Sequence, residues 1–147
     1  MQARDIMTTD PACCTPETPV NEAARMMKDQ NVGMLPVVDA EGSDRLVGVV
    51  TDRDIAIRHV AEGHNTNDCP VREVMTDNVA TLKPDADMEE VMNLMGKEQI
   101  RRIPIVDERG SLVGVVSQAD VVLQADDNRA AERTIEKIST PFGKHAQ

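Results

Sequence analysis

Aromatic residues are almost missing from this 147-residue chain: Phe142 is the only one, and Trp and Tyr are absent. A flat ligand must therefore be gripped by aliphatic side chains, because the stacking platforms of single-strand nucleic-acid binders are lacking. Cysteine is scarce and odd in number. Cys13, Cys14 and Cys69 have no zinc spacing, and the adjacent pair is poorly placed to bridge itself, so reduced, partly buried thiols are expected. His59, His64 and His145 show no ligand-like grouping with the cysteines and read as surface residues, and no protein-only metal site is expected. No hydrophobic run approaches the ~18 residues of a membrane span. Met1-Gln2-Ala3-Arg4-Asp5 lacks the apolar core of a signal peptide. Positive charge is in deficit, 16 Lys and Arg against 26 Asp and Glu for a net charge of −10, and such a field repels phosphate backbones and anionic lipid. The expectation is a soluble cytoplasmic protein with neither nucleic acid nor membrane as partner.

What is present is a duplication. Leu46-Val47-Gly48-Val49-Val50-Thr51-Asp52-Arg53-Asp54 returns as Leu112-Val113-Gly114-Val115-Val116-Ser117-Gln118-Ala119-Asp120, which marks a repeated unit. Ile6-Met7-Thr8 and Val74-Met75-Thr76 open the two copies at an offset of 68 residues, which Pro16/Pro84, Met27/Met95, Pro36/Pro104 and Asp39/Asp107 share. The LVGVV copies are offset by 66, so the first copy carries two extra residues in its turn, where length changes cost least. The repeats are placed at 1–65 and 66–125, with a polar tail over 126–147 that contains a short helix from Arg129 to Ile138.

Each copy changes its periodicity in the same order. Thr18-Pro19 opens a helix, Thr18 capping it and Pro19 in the first turn, with Val20, Ala23, Ala24 and Met27 on one face. Asp85 or Asp87 caps its counterpart, where Met88, Val91, Met92 and Met95 repeat the stripe. Leu35–Val38 and Ile103–Val106, followed by a turn and then by Leu46–Val50 and Leu112–Val116, read as hairpins. Helical spacing resumes over Asp52–Ala61 and Gln118–Gln124. An initial strand near Pro11–Thr15 or Val79–Lys83 completes a β-α-β-β-α unit of the α/β class.

The chemistry-bearing stretch is TDRD or SQAD, where a buried strand becomes a helix. A Thr or Ser with an acid three residues later is a capping box with Asp in place of Glu. A helix start also offers free N–H groups to an anion, a hydroxyl can bond phosphate, and an Asp carboxylate can accept two ribose hydroxyls.

In this order, IMT or VMT, then Pro36-Val37-Val38-Asp39 or Pro104-Ile105-Val106-Asp107, then LVGVV with TDRD or SQAD, the chain resembles a tandem pair of CBS domains, a stand-alone Bateman module of bacterial type, from about Ile6 to Gln124. The resemblance implies two pseudo-symmetric halves with clefts that hold adenosine compounds, and a flat homodimer of two pairs. It assigns Thr51 and Asp54 to one cleft, and Ser117 and Asp120 to the other, as phosphate and ribose contacts. Thr15 is the matching position beside Asp120 and Lys83 the one beside Asp54, while Leu35-Pro36 and Ile103-Pro104 flank the base. Arg101-Arg102 stand where the gamma subunit of AMP-activated kinase carries basic phosphate contacts, whereas the first copy has Gly33-Met34 there. The Ser117/Asp120 cleft is thus expected to prefer phosphorylated ligands. The implied function is a regulatory sensor of AMP, ADP, ATP, S-adenosylmethionine or an NAD-type compound, with no obligatory cofactor and with Mg accompanying a polyphosphate, acting in trans on an unknown regulated protein. The rival expectation is a ligand-independent dimeric scaffold in which both motifs only cap helices. An enzyme is not expected, since no nucleophile-base pair or acid-base carboxylate pair stands out.

Overall fold

The computed structural model describes residues 1–64, 68–124 and 135–138. In chain order the elements are α1 (Ala3–Ile6), α2 (Val20–Gln30), β1 (Met34–Val38), β2 (Leu46–Thr51), α3 (Asp52–Ile55) running into a π-helical turn (Ala56–Val60), a 3-10 turn (Val71–Glu73), α4 (Met88–Glu98), β3 (Arg102–Val106), β4 (Leu112–Ser117) and α5 (Gln118–Gln124). They gather into two compact units, Pro11–Val79 and Met1–Asp10 with Ala80–Gln147. The units are not cut where the sequence repeats begin. Thr8 is paired within the second unit and Thr76 within the first.

In the first unit β1 and β2 form an antiparallel hairpin whose register sets Met34 opposite Thr51 and Pro36 opposite Val49. Cys14 bridges Val37 in parallel on one side, and Thr76 bridges Val49 antiparallel on the other. The second unit repeats this plan: β3 and β4 pair with Arg102 opposite Ser117 and Pro104 opposite Val115, flanked by Leu82 on Ile105 and Thr8 on Val115. The expected initial strands are therefore reduced to single bridges. Pro36 and Pro104, although inside strands, each offer a carbonyl to this neighbour, Cys14 N–H to Pro36 O at 3.0 Å and Leu82 N–H to Pro104 O at 3.3 Å.

The glycine of each LVGVV copy is explained by the outer bridge. Thr76 exchanges both backbone hydrogen bonds with Val49, at 2.8 and 2.9 Å, and Thr8 does so with Val115, at 2.9 and 3.0 Å. A Cβ on Gly48 would lie 2.6 Å from the Thr76 carbonyl oxygen, and one on Gly114 would lie 2.6 Å from Met7 Sδ and 2.9 Å from the Thr8 carbonyl oxygen. Only a residue without a side chain allows the crossing segment so close.

The methionine and valine stripes are core. Val20, Ala23 and Met27 of α2 join Leu35, Val37, Val50, Val71 and Val74 in one cluster. Val91 and Met95 of α4 join Ile103, Ile105, Val116 and Val121 in the other. Ala24 is half-buried. Asp87 caps α4 by accepting the Glu90 N–H at 2.8 Å. Thr18 does not cap α2, contrary to expectation: Pro19 occupies the cap position in extended conformation, with no side-chain cap bond. The Thr18 hydroxyl instead accepts the Thr15 N–H at 3.0 Å, because the extended Thr18-Pro19 step carries it away from the helix start. The two extra residues of the first hairpin fall in its turn, as expected: Asp39 N–H meets Arg45 O, where Asp107 N–H meets Ser111 O. Backbone N–H groups, first that of Ser111 and then that of Arg109, hold the Asp107 carboxyl below its usual range. Of the tail helix expected over Arg129–Ile138, residues 135–138 are helical and Ile138 enters the second core; the remainder lies outside the described residues.

All three cysteines are free, in line with the reduced thiols expected. Burial, then the neighbouring Cys13, pushes the Cys14 thiol up to about 12. Three outcomes follow. Gly48→Ala sets a Cβ against a fixed carbonyl and should lower stability by about 1–3 kcal/mol, whereas Glu22→Ala on the exposed face of α2 should change it by less than about 0.5 kcal/mol; urea unfolding compares them. Because the thiolate is the reactive form, Cys14 in native protein at pH 8 should resist iodoacetamide and be labelled on unfolding, as read by peptide mass spectrometry. The folded state holds this proton above the ordinary thiol value of 9.0, so Cys14 contributes stability in full below pH 9 and loses it as pH rises from there toward 12; replacing Cys14 by Ala should flatten that alkaline decline.

Candidate functional site

The strand-to-helix junction of each unit is closed by a reciprocal pair of hydrogen bonds. Thr51 Oγ1 accepts the Asp54 N–H and Asp54 Oδ2 accepts the Thr51 N–H, each at 3.0 Å. Ser117 Oγ accepts the Asp120 N–H at 3.1 Å and Asp120 Oδ2 accepts the Ser117 N–H at 2.8 Å. Both motifs are therefore capping boxes, and each carboxylate keeps one oxygen for other use.

That second oxygen distinguishes the copies. Thr51 is 0% and Asp54 6% exposed, and Asp54 Oδ1 faces Arg58 Nε at 3.8 Å. Arg58 is itself anchored, its Nη1 donating to the Val74 and Met75 carbonyls at 3.3 Å. Ser117 and Asp120 are half-buried, and Asp120 Oδ1 has no hydrogen bond or ion pair among the described residues. The strand facing each hydroxyl differs too. Met34, opposite Thr51, is buried, whereas Arg102, opposite Ser117, is half-buried and Arg101 exposed. The junctions are tied to these strands by matching bonds, Asp52 N–H to Gly33 O at 3.0 Å and Gln118 N–H to Arg101 O at 2.7 Å.

Of the residues singled out from sequence, Gly33, Met34, Thr51 and Asp54 stand at the first junction, with Leu35 and Pro36 following along β1 opposite Val50 and Val49. Arg101, Arg102, Ser117 and Asp120 stand at the second, with Ile103 and Pro104 following along β3 opposite Val116 and Val115. Leu35 and Ile103 are fully buried in their cores. Thr15 lies in the first unit on Thr18. Lys83 lies in the second, its Nζ donating to the Asp107 carbonyl at 2.9 Å.

The histidine expectation needs correction. His59 is 0% exposed, because the π-helical turn rotates it inward. One nitrogen of His59, one of His64 and Cys69 Sγ lie within 4.8 Å of one another, a grouping that sequence reasoning missed. The visible signal was the spacing of five residues from His59 to His64, which matches no α-helical face but does match a π-type turn. The His64 N–H closes such a turn onto the His59 carbonyl at 3.1 Å, as Ala61 does onto Ala56 at 2.9 Å. Burial, and next the Glu73 carboxylate, push the Cys69 thiol up, with Arg72 opposing.

No helix among the described residues is long and apolar enough to cross a membrane. The CBS domain profile matches residues 3–59 and 71–126. "CBS domain-containing protein YhcV" of Bacillus subtilis is 40% identical over 136 residues, 92% of this chain and 94% of that protein. Hypoxic response protein 1 of Mycobacterium tuberculosis is 32% identical over 140 residues, 95% of each chain. A crystal structure of Hypoxic Response Protein I with two coordinated zinc ions superposes with a TM-score of 0.76 at 33% identity, covering 84% of this chain and 98% of that one. CBSX2, solved in complex with AMP, gives 0.73 at 26% identity over 84% and 95% of the two chains. With two repeats matched across most of its length, this chain belongs to the CBS-domain family as a tandem pair of CBS repeats.

Proposed function

We propose that the protein is a regulatory module that binds an adenosine-type ligand and acts in trans on a partner protein. The observation that carries this reading is the second junction. A half-buried carboxylate whose Oδ1 has no partner among the described residues, a hydroxyl and two arginines stand at one strand end, the donor and acceptor set that a phosphorylated ribose requires. Asp120 accepts the ribose hydroxyls, Ser117 and Arg102 take the phosphate, and Arg101 adds charge. The first junction, with Asp54 sealed and faced by Arg58, binds weakly or not at all, and Lys83 is already engaged with the Asp107 carbonyl. The AMP complex of the related CBSX2 supports the ligand class. Any metal here is Mg carried in by a polyphosphate rather than an obligatory cofactor. Binding without catalysis is the role of these residues. Exposed apolar side chains, Ile57 and Val60 on the first unit and Val122 and Leu123 on the second, support a homodimer.

One observation favours the rival reading of a ligand-independent scaffold: both capping boxes are complete without any ligand. Thermal unfolding of the wild type, Asp120→Ala and Arg102→Ala against adenosine, AMP, ADP, ATP, S-adenosylmethionine and NAD separates the two. Ligand at 100 times its Kd adds about 2.7 kcal/mol, a rise of roughly 2–4 °C per kcal/mol at this size. Asp120→Ala should lose about 0.5–2 kcal/mol with the cap and also all ligand-induced gain. Arg102→Ala keeps the cap and should lose the preference for AMP over adenosine. If no adenosine compound shifts the wild type, the scaffold reading stands.

A further inference from the structure

His59 is the least explained side chain of the first unit. It is completely buried, yet both Nδ1 and Nε2 lack a hydrogen-bond partner. A buried imidazole gives up its water on folding and needs a replacement for it, so an orphaned one points to an unseen partner such as an ion. Its surroundings supply what an ion would need. The His64 ring stands edge-on to it, with centroids 5.6 Å apart and planes at 76°, so that the two rings do not stack and their nitrogens can converge on a common point. Cys69 Sγ completes a triangle of donor atoms, all within 4.8 Å of one another. In a tetrahedral zinc site, with Zn–N near 2.0–2.1 Å and Zn–S near 2.3 Å, donor atoms are about 3.3–3.6 Å apart. Closing the triangle thus takes a movement of about 1 Å or a rotamer adjustment.

We infer that His59, His64 and Cys69 bind one Zn²⁺ ion in the first unit, three protein ligands leaving the fourth position open. Two imidazoles and a thiolate suit zinc over magnesium or calcium, which prefer all-oxygen shells. Two of the three ligands, His64 and Cys69, line a surface cavity of about 280 Å³ with Asp68, Pro70 and Glu73. Water or a small anion can complete the coordination there. The ion ties the end of the π-helical turn to the segment that leads into Val71–Glu73, and this binding is independent of the nucleotide reading.

The test uses the full chain stripped with chelator and titrated with Zn²⁺ against a chromophoric competitor, and with Co²⁺ as a spectroscopic reporter. Expected are one equivalent of zinc per chain, a raised unfolding midpoint, and a Co²⁺ spectrum with intense tetrahedral d–d bands and a thiolate charge-transfer band. Cys69→Ser should abolish the charge-transfer band, while Cys13→Ala retains it. His64 is exposed, so His64→Ala leaves the fold in place and should weaken zinc by more than the ~10–100-fold that loss of an outer-shell partner costs. A protein that takes up less than one equivalent, that shows no thiolate band, or that binds zinc equally well after His64→Ala overturns the assignment.

Discussion

The structure depends on two backbone bridges that cross the sequence repeats. Thr8 pairs with Val115 and Thr76 with Val49, so the opening segment of each repeat is laid on the LVGVV strand of the other copy. Each bridge places β2 or β4 between two neighbours. The consecutive residues Val49-Val50 and Val115-Val116 are buried, so both faces of each strand are covered there, which is why LVGVV reads as a continuous apolar run rather than an alternation. Gly48 and Gly114 are the steric condition for this arrangement. A side chain there would meet a carbonyl oxygen or Met7 at 2.6 Å, and the close hydrogen bonds of the bridge would be lost.

Duplication gave two equivalent junctions, and a few substitutions made them unequal. Register sets the residue opposite each hydroxyl, so exchanging Met34 for Arg102 alters the electrostatics of the strand end without disturbing the hairpin. Arg58 has no counterpart of the same charge in the other copy, where the offset of 66 places Gln124. One carboxylate is therefore faced by an arginine of its own helix and shielded, while the other remains half-exposed. The capping boxes themselves are the same in both copies. Local helix chemistry is thus shared, and the difference in burial and charge between the junctions arises from what surrounds it.

The fold was legible because its signals are periodic and repeated: apolar stripes at helical spacing, β-branched runs around turns, and the IMT, PVVD and LVGVV landmarks in register. The junction residues were legible because hydroxyl and carboxylate sit three apart at a strand end. Misreadings had local causes. Thr18 looked like a cap, but an extended proline occupies that position. His59, His64 and Cys69 looked scattered, because a spacing of five places residues about 140° apart on an α-helix. The π-helical turn and the bond from the His64 N–H to the His59 carbonyl bring His64 back beside His59, and Cys69 joins them from outside the helix.

The sequence by itself determined the number of repeats, the order of helices and strands, the composition of each core and the identity of the junction residues, because these follow from periodicity and local chemistry. Tertiary structure decided which copy each opening segment joins, how deeply Asp54 is sealed compared with Asp120, and that a buried histidine meets a second histidine and a cysteine. Those outcomes depend on close packing between residues distant in sequence and on one non-α turn. Neither is written in the spacing of residues along the chain.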